Sequence, residues 1–556
     1  MVRSFLTVLG REVRGMHEAA YVLAAFALCS QLLALVRDHL LASAFGASHT
    51  LDLYYAAFRI PDFLFATVAS LLSLYALLPV LSKLEQESEA KMVGFLRQTL
   101  FLFFVGMGAI SLVVFIFAPQ LIPLVVPGIA SPDLILLVRI LLLQPVFLGA
   151  SNILAALTQL RHRFLLYSIS PLLYNIGIIF GIVALYPHLG LAGLGWGVVI
   201  GAALHMLLQL PFFVIEKSEE RPIRSVIGDF FSVLMLSVPR TLALGATQVT
   251  SLVLVGMASL LTTGSIAVFT FASNLQAVPL SIIGVSYSVA AFPTLARLHA
   301  QGEFQKFSRY IDTALRHIFF WSIPAMVFII VLRAQIVRVI LGAGLFDWAA
   351  TRLTAAALAL FIISLAAQAV TLLIARAYYA AGNTKKPLYW GIIDVVVSVL
   401  SSLLLLHIFY RSIFIEHFIE SLLRVSDIAG TAVLMLALGY ALGSIAEFAI
   451  GYWFFVRDFK LPRMQLLQLI FQSFSASVIG GAVTYAILAL TGTAGEVNTA
   501  LGLLLQGTIA GVAGLIITAC TLALLKNKEL YEALATINHR FKRSSVTALE
   551  ATDVSS

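Results

Sequence analysis

Long apolar runs separated by short polar breaks recur from one end of the chain to the other. They fall at about 19–46, 53–82, 96–118, 133–159, 164–186, 191–215, 230–261, 266–296, 311–341, 352–381, 387–409, 429–456, 466–492 and 499–525. Each is long enough to cross about 30 Å of hydrocarbon as a helix. Their length and continuity predict helices rather than strands, because a spanning segment must satisfy its own backbone hydrogen bonds. The connectors alternate in charge. One set carries Arg11 and Arg14, Lys83 and Lys91, Arg161 and Arg163, Lys217, Arg221 and Arg224, Arg297 and Lys306, Lys385 and Lys386, Arg457, Lys460 and Arg463, and Lys526 and Lys528. The other reads GASHT, PGIASPD, YPHLG, LTTGS and TGTAGEVN, almost without positive charge. The positive-inside rule places the first set, and with it both termini, in the cytoplasm. That requires an even number of spans, and fourteen runs satisfy it. One outer connector breaks the pattern. RSIFIEHFIESLLRVSD carries Arg411 and Arg424, and reads as a short amphipathic helix on the outer surface.

The pattern also repeats. YALLPVLSKLEQ resembles VAAFPTLARLHA, with Pro79 and Pro293 standing 214 residues apart. LVVPG and RVILG end at Gly128 and Gly342, again 214 residues apart. Spans one to six and seven to twelve therefore read as two copies in the same orientation, a parallel repeat about an axis along the membrane normal. The expected organisation is an N-terminal interfacial segment (1–18), an N-lobe (19–216), a C-lobe (226–457), a final helix pair (464–526) and a cytoplasmic tail (527–556). The fold class is all-α, a polytopic membrane protein.

Composition agrees. Of 556 residues, 60% are hydrophobic and 11% charged, with mean hydropathy +1.00. Soluble domains carry about 25% charged residues. The N-terminal run is short and broken by Arg11, Glu12 and Arg14, unlike a signal peptide. The formal charge of +8 suits orientation against anionic lipid, and no nucleic-acid motif is present. Cys29 and Cys520 both lie in apolar runs, which leaves no disulfide framework or zinc site. Nor does the sequence contain a Gly-x-Ser-x-Gly, a P-loop or a His-Glu-x-x-His motif. With no nucleotide fold, any energy must come from a coupling cation or the membrane potential; no other cofactor is expected.

Charges inside the runs carry the functional argument, since each costs at least a few kcal/mol at mid-membrane depth. Arg37 and Asp38 sit deep in the first run. Neighbours on a helix point about 100° apart, so the two are expected to pair poorly with each other. Either they order the bundle through neighbouring helices, or they line a wet cavity in which Arg37 meets an anionic substrate. Asp52 suits a cap on the second helix, and Arg59, ahead of Pro61, is a further cavity candidate; Asp62 can answer the backbone groups that the proline frees. In the second copy, Arg240 and Arg376 can snorkel to the interface, while Asn274 and Gln276 suit bridges between helices. Asp394, about two turns into its span, is the candidate for carrying a proton or cation. The substrate-binding set is thus Arg37, Asp38, Asp52, Arg59, Arg240 and Asn274, with no metal site.

The stretch LVRDHLLASAFGASHTLDLYYAAFRIPD resembles the opening signature of the MurJ (MviN) family, lipid II flippases of the multidrug/oligosaccharidyl-lipid/polysaccharide exporter superfamily. An Arg-Asp pair, an Ala-x-x-Phe-Gly-Ala turn, an Asp and an Ala-Phe-(Arg/Lys)-x-Pro run appear as Arg37-Asp38, Ala42 to Ala47, Asp52 and Ala57 to Pro61. Further matches are ISPLLYNIGIIFG, SVPRTLALGATQVTSLV, ASLLTTGSIAVF, AAFPTLARL and ARAYYAAGNTKKP, in order along spans one to eleven. The resemblance implies fourteen helices, two six-helix lobes around a central cavity, and a final pair forming a groove for a lipid tail. The implied cargo is a polyprenyl-pyrophosphate-linked glycopeptide, flipped from the inner to the outer leaflet of the bacterial cytoplasmic membrane by alternating access. Membrane lipids are the other expected partners, and a monomer suffices. Arg37 and Asp38 match the family's cavity residues.

The chain also departs from the family. Gln31, Phe65 and Ala66 stand where members carry arginines, and SLLSLYA stands for Glu-Gly-Ala-Phe-x-Gln-Ala. The eighth-helix arginine falls on Asn274. The acid of a sodium site falls on Leu254, and its asparagines near Ser398 and Ser402. Arg59 and Arg240 are the residues available to replace the missing positive charge. The rival readings are a flippase for another polyprenyl-linked glycan, a cation-coupled small-molecule exporter, a polytopic glycosyltransferase and a non-transporting scaffold. Asp133, Asp347 and Asp427 stand alone on their loops, against the glycosyltransferase, which needs grouped acids.

Overall fold

The computed structural model describes residues 16–72, 74–161, 163–210, 213, 223–459, 466–492 and 499–535; side chains at some helical positions, Pro79 and Arg240 among them, lie outside that description. So do most of the expected interfacial segment and of the cytoplasmic tail. Every regular element among the described residues is a helix. We number them α1 (Met16–Phe45), α2 (His49–Ala57), α3 (Arg59–Thr67), α4 (Leu74–Glu87), α5 (Glu89–Val125), α6 (Pro132–Leu141), α7 (Leu143–Leu160), α8 (Phe164–Phe180), α9 (Tyr186–Leu189), α10 (Leu191–Leu207) and α11 (Ile223–Ala258). Then follow α12 (Ser265–Leu280), α13 (Ser286–Ala300), α14 (Phe304–Leu341), α15 (Trp348–Ile362), α16 (Leu365–Ala380), α17 (Lys385–Arg411), α18 (Ile413–Leu423), α19 (Val433–Phe459), α20 (Leu466–Leu490) and α21 (Ala500–Leu524).

Ten described segments are long and apolar enough to cross a membrane alone, and the bent pair α15–α16 makes eleven. The expected count of fourteen is not reached by that measure. Two shorter apolar helices, Leu191–Leu207 and Gly245–Ala258, fall below it. The second expected span also differs from a single rod. It breaks into α2, α3, a tight turn of helix at Ala69–Leu72 and α4. The cause is local: Pro61 cannot donate to the carbonyl of Ala57, four residues back, and its ring crowds that carbonyl, so α2 stops there.

The repeat is visible in the element order. Helices α5 and α14 start at Glu89 and Phe304, 215 residues apart, and end at Val125 and Leu341, 216 apart. Helices α1, α4 and α6 likewise have counterparts in α11, α13 and α15. Among the described residues helix α18 has no such counterpart; the four-residue α9 is what the first copy shows near that place.

The chain divides into two compact units. The first holds residues up to Ser273 with Ile340–Ala357 and Thr384–Gly443; the second holds Asn274–Val339, Leu358–Asn383 and the chain from Ser444. This division differs from the lobe boundary expected from the repeat, because α11 packs on α3 as well as on α17. Within the first unit, α8 and α10 cross backbone to backbone. A Cβ at Gly177 would lie 2.3 Å from the Cα of Gly201, and one at Gly197 would lie 2.4 Å from that of Gly181. Small residues four apart permit this approach in lipid, where packing rather than hydrophobicity holds helices together. The crossing fixes α8 against α1 as well, which also packs on it. In the second unit, α20 and α21 pair through Gly480, Thr484, Gly514 and Thr518.

Candidate functional site

Three polar side chains meet where α1 and α8 pack. Arg37 Nε and Nη2 donate to Asp38 Oδ1 at 3.0 and 2.8 Å, and Nη1 donates to Asn175 Oδ1 at 3.1 Å. The amide of Asn175 is itself held, donating to Pro171 O at 3.2 Å and Ser30 Oγ at 3.4 Å. The expectation that Arg37 and Asp38 would not pair is therefore corrected. The 100° separation applies to their Cβ atoms, and the arginine stem is long enough to fold its fork back onto the next residue. The pair is not sealed: Arg37 keeps 20% of its side-chain surface accessible, against 6% for Asp38.

Arg59 belongs to the same cluster. It sits at the first position of α3, beyond the break that Pro61 imposes. Its Nε donates to Tyr55 O at 3.1 Å and its Nη1 to Ser251 Oγ at 2.6 Å, on α11. Tyr55 lies within electrostatic reach of Arg37, Asp38 and Arg59 alike, and its buried hydroxyl has no hydrogen-bond partner among the described residues. Tyr174 reaches both Arg37 and Asp62. Asp62 accepts from Gln144 Nε2 at 3.2 Å rather than answering the backbone at Pro61. Two guanidinium forks and two carboxylates thus share one region, ringed by phenols and amides. Such forks suit the planar, multidentate recognition of phosphate oxygens.

Asp52 and Asp394 have other hydrogen-bond partners. Asp52 is buried and does not cap its own helix, whose N-cap is Ser48. Its two oxygens accept from the backbone N–H groups of Gly264 (2.6 Å) and Ala267 (2.8 Å), at the start of α12. The reason is that the first amides of α12 need acceptors, and a carboxylate satisfies them best. Asp52 is therefore a clamp between elements, outside the Arg37 cluster. Asp394 is buried on α17, where Oδ2 accepts from Thr250 Oγ1 of α11 at 3.0 Å and Oδ1 from Ser398 Oγ at 3.3 Å. Asn274, half-buried on α12, belongs to the second unit. Arg240 lies on α11, and its side chain is outside the described residues.

Asn175, Ser251, Gln144 and Tyr55 were not singled out from the sequence. An amide inside the apolar run of α8 was the available signal for Asn175; hydroxyls are too common in spans to mark Ser251 or Tyr55.

The second unit contains an apolar cavity of about 640 Å³. Tyr287, Trp321, Phe328, Leu515, Leu522 and Leu534 line it, so α14, α21 and the short helical segment 528–535 form its walls. The resemblance implies a groove from the final helix pair; here α21 contributes to the lining and α20 does not. Segment 528–535 is held by Glu529, which is buried and accepts from Arg316 Nε at 2.6 Å, and by His317 Nε2 with Glu532 at 3.5 Å.

Comparison with known proteins sets these features in context. The family model described as "Lipid II flippase MurJ" matches residues 41–505. The chain is 27% identical over 403 residues to "Lipid II flippase MurJ" of Burkholderia cenocepacia, covering 70% of this chain and 78% of that one. It is 28% identical over 386 residues to "Probable lipid II flippase MurJ" of Thermotoga maritima, covering 66% and 75%. Among solved structures, "Lipid II flippase MurJ, inward closed conformation" superposes with TM-score 0.69 at 22% identity, over 91% of this chain and all of that one. An inward-facing multidrug resistance MATE family transporter of the MOP superfamily superposes with TM-score 0.62 at 14% identity, over 79% and 98%. At those identities the structural likeness speaks for the fold.

Proposed function

The chain belongs to the MurJ family of lipid II flippases, and we propose on that footing how its own residues carry the cargo. It is a transporter rather than an enzyme, a multi-pass protein of the inner membrane that moves lipid II. The cargo presents a pyrophosphate and a sugar-peptide headgroup to a membrane that neither crosses unaided. Arg37 is the residue that meets the pyrophosphate. The observation that carries this reading is its placement. One nitrogen is fixed by Asn175 and two by Asp38, while part of its surface stays accessible. Asp38 acts as a stand-in anion. It holds the fork aligned and yields it when phosphate oxygens arrive, so the arginine is never left buried and unpaired. Arg59 supplies the second positive charge, which compensates in part for Gln31, Phe65 and Ala66.

The movement is alternating access between the two pseudo-symmetric copies, with both termini in the cytoplasm and net transfer from inner to outer leaflet. Asp394 is the coupling candidate, because its carboxylate is buried and its partners among the described residues are the hydroxyls of Thr250 and Ser398. The apolar cavity beside α21 has the character to hold part of the polyprenyl tail.

The test is complementation. A bacterial host is depleted of its own lipid II flippase and supplied with this chain, and growth and outer-leaflet lipid II are measured. Rescue is expected for the parent chain and not for Arg37→Ala at equal expression. Rescue that survives Arg37→Ala removes Arg37 from the mechanism; failure of the well-expressed parent chain favours another polyprenyl-linked glycan as cargo.

A further inference from the structure

Helix α18 is inside out for a helix that meets water. It follows α17 after a single residue, Ser412, whose hydroxyl accepts from Ile415 N. A surface helix turns its apolar stripe inward and its charges outward. Here Glu420 is buried and its Oε1 accepts from Thr431 Oγ1 at 2.7 Å, while Ile415, Ile419 and Leu423 share its half-buried side. The opposite face carries Ile413, Phe414, Phe418 and Leu422, with exposures from 55% (Phe418) to 75% (Phe414), and the exposed His417 and Ser421 lie beside them. Residues four apart lie on one face, and the rings of Phe414 and Phe418 stack with centroids 6.3 Å apart. Among the described residues, nothing covers this face.

The neighbouring surface says what does. Leu400, Leu403, Leu404 and Tyr410 of α17 are exposed, the lipid-facing band of a span. The apolar face of α18 continues from the end of that band, at the opposite end of α17 from Lys385 and Lys386. Exposed Arg411 and Arg424 bracket the helix, and His417 is exposed along it, where lipid phosphates would lie. The helix is also fixed in place. Arg424 closes it in the left-handed conformation (φ 61°), and Arg352 of α15 donates to the Arg424 carbonyl and to both oxygens of Asp427 at 2.7 Å.

We propose that α18 lies in the membrane–water interface of the leaflet away from Lys385, its apolar face immersed among the acyl chains, and that the Arg352 clamp ties α15 to this anchor. The partner is the bilayer itself. The inference rests on α17 being a span and does not depend on the identity of the cargo.

Site-directed spin labelling of the full chain tests it. Cys29→Ser and Cys520→Ser provide the background, and labels are placed singly at Phe414→Cys, Phe418→Cys and, on the following turn, Ser426→Cys. The protein is reconstituted in phosphatidylethanolamine–phosphatidylglycerol nanodiscs. Collision with apolar oxygen and with a water-soluble nickel chelate is then compared. Labels at 414 and 418 should collide severalfold more with oxygen than with nickel, and the label at 426 should show the reverse. Nickel access at 414 and 418 equal to that at 426 would place the face in water and overturn the proposal. Shielding from both reagents with dipolar broadening would assign the face to a second copy, which overturns it as well.

Discussion

Replacing Asp52 separates a structural clamp from a transport residue. Its carboxylate accepts two backbone N–H groups, from Gly264 at 2.6 Å and Ala267 at 2.8 Å, and it is only 2% exposed. Asp52→Ala removes both acceptors. Each buried amide left without one costs about 1–3 kcal/mol, so the loss is about 2–6 kcal/mol. Asp52→Asn keeps the shape and one acceptor oxygen but turns an NH₂ toward the second amide, and should cost about half as much. The assay is thermal unfolding of the purified chain in detergent, followed by the fraction that elutes as a monodisperse species. Rescue of a flippase-depleted host is measured in parallel and scaled to the folded amount. The expected order of melting temperature is parent, then Asn, then Ala, with rescue per folded molecule nearly constant. An Asp52→Ala chain that melts with the parent yet does not transport would refute the clamp and return Asp52 to the cargo or coupling pathway.

Other substitutions probe the remaining claims. Arg37→Lys keeps the charge but not the fork, and rescue should fall nearly as far as for Arg37→Ala, measured at matched expression. Asp38→Asn weakens the stand-in anion, so binding of a soluble pyrophosphate to the purified chain should tighten while turnover of lipid II falls; looser binding would refute the exchange. Gly197→Ala drives a Cβ into the backbone of Gly181 and should destabilise by about 1–3 kcal/mol, read as a lower melting temperature. The Arg352 hydrogen bond holds the Asp427 carboxyl below the usual carboxylate range. The Asp427 part of the clamp on α18 is therefore at full strength at neutral pH and is lost only as pH falls through that depressed value, while the bonds to the Arg424 carbonyl do not titrate. A spin label at Ser426→Cys should become more mobile there and not at pH 6; mobility that is unchanged in acid would deny that the Asp427 pair contributes to the clamp.

The sequence carried the larger architecture further than the contacts. Apolar length located the helices, and the offset between Pro79 and Pro293 anticipated the parallel starts of α5 and α14, because both follow from patterns local to a segment. Arg37 and Arg59 stood out because charge in an apolar run is costly. What escaped was which neighbour each polar group meets. Asp52 was expected to cap its own helix and clamps α12 instead; Arg37 and Asp38 were expected not to pair, yet they do. Helix partners are set by tertiary packing, here by the glycine crossing that seats Asn175 beside Arg37, and no period along the chain encodes that. The inverted face of α18 was hidden for a related reason: amphipathicity reveals two faces but not which one turns outward.

The cancellation of formal charge in the Arg37 cluster has an electrical corollary. Within the cluster two arginines offset two aspartates, so on the proposed reading the empty site adds no net valence of its own for a transmembrane voltage to pull on. With a pyrophosphate bound there, as proposed, the valence of the site would turn negative, and a potential negative inside would favour its outward movement by about 2.3 kcal/mol per charge per 100 mV. The same residues would then behave as a rectifier, pushed forward when laden and free to reset when vacant.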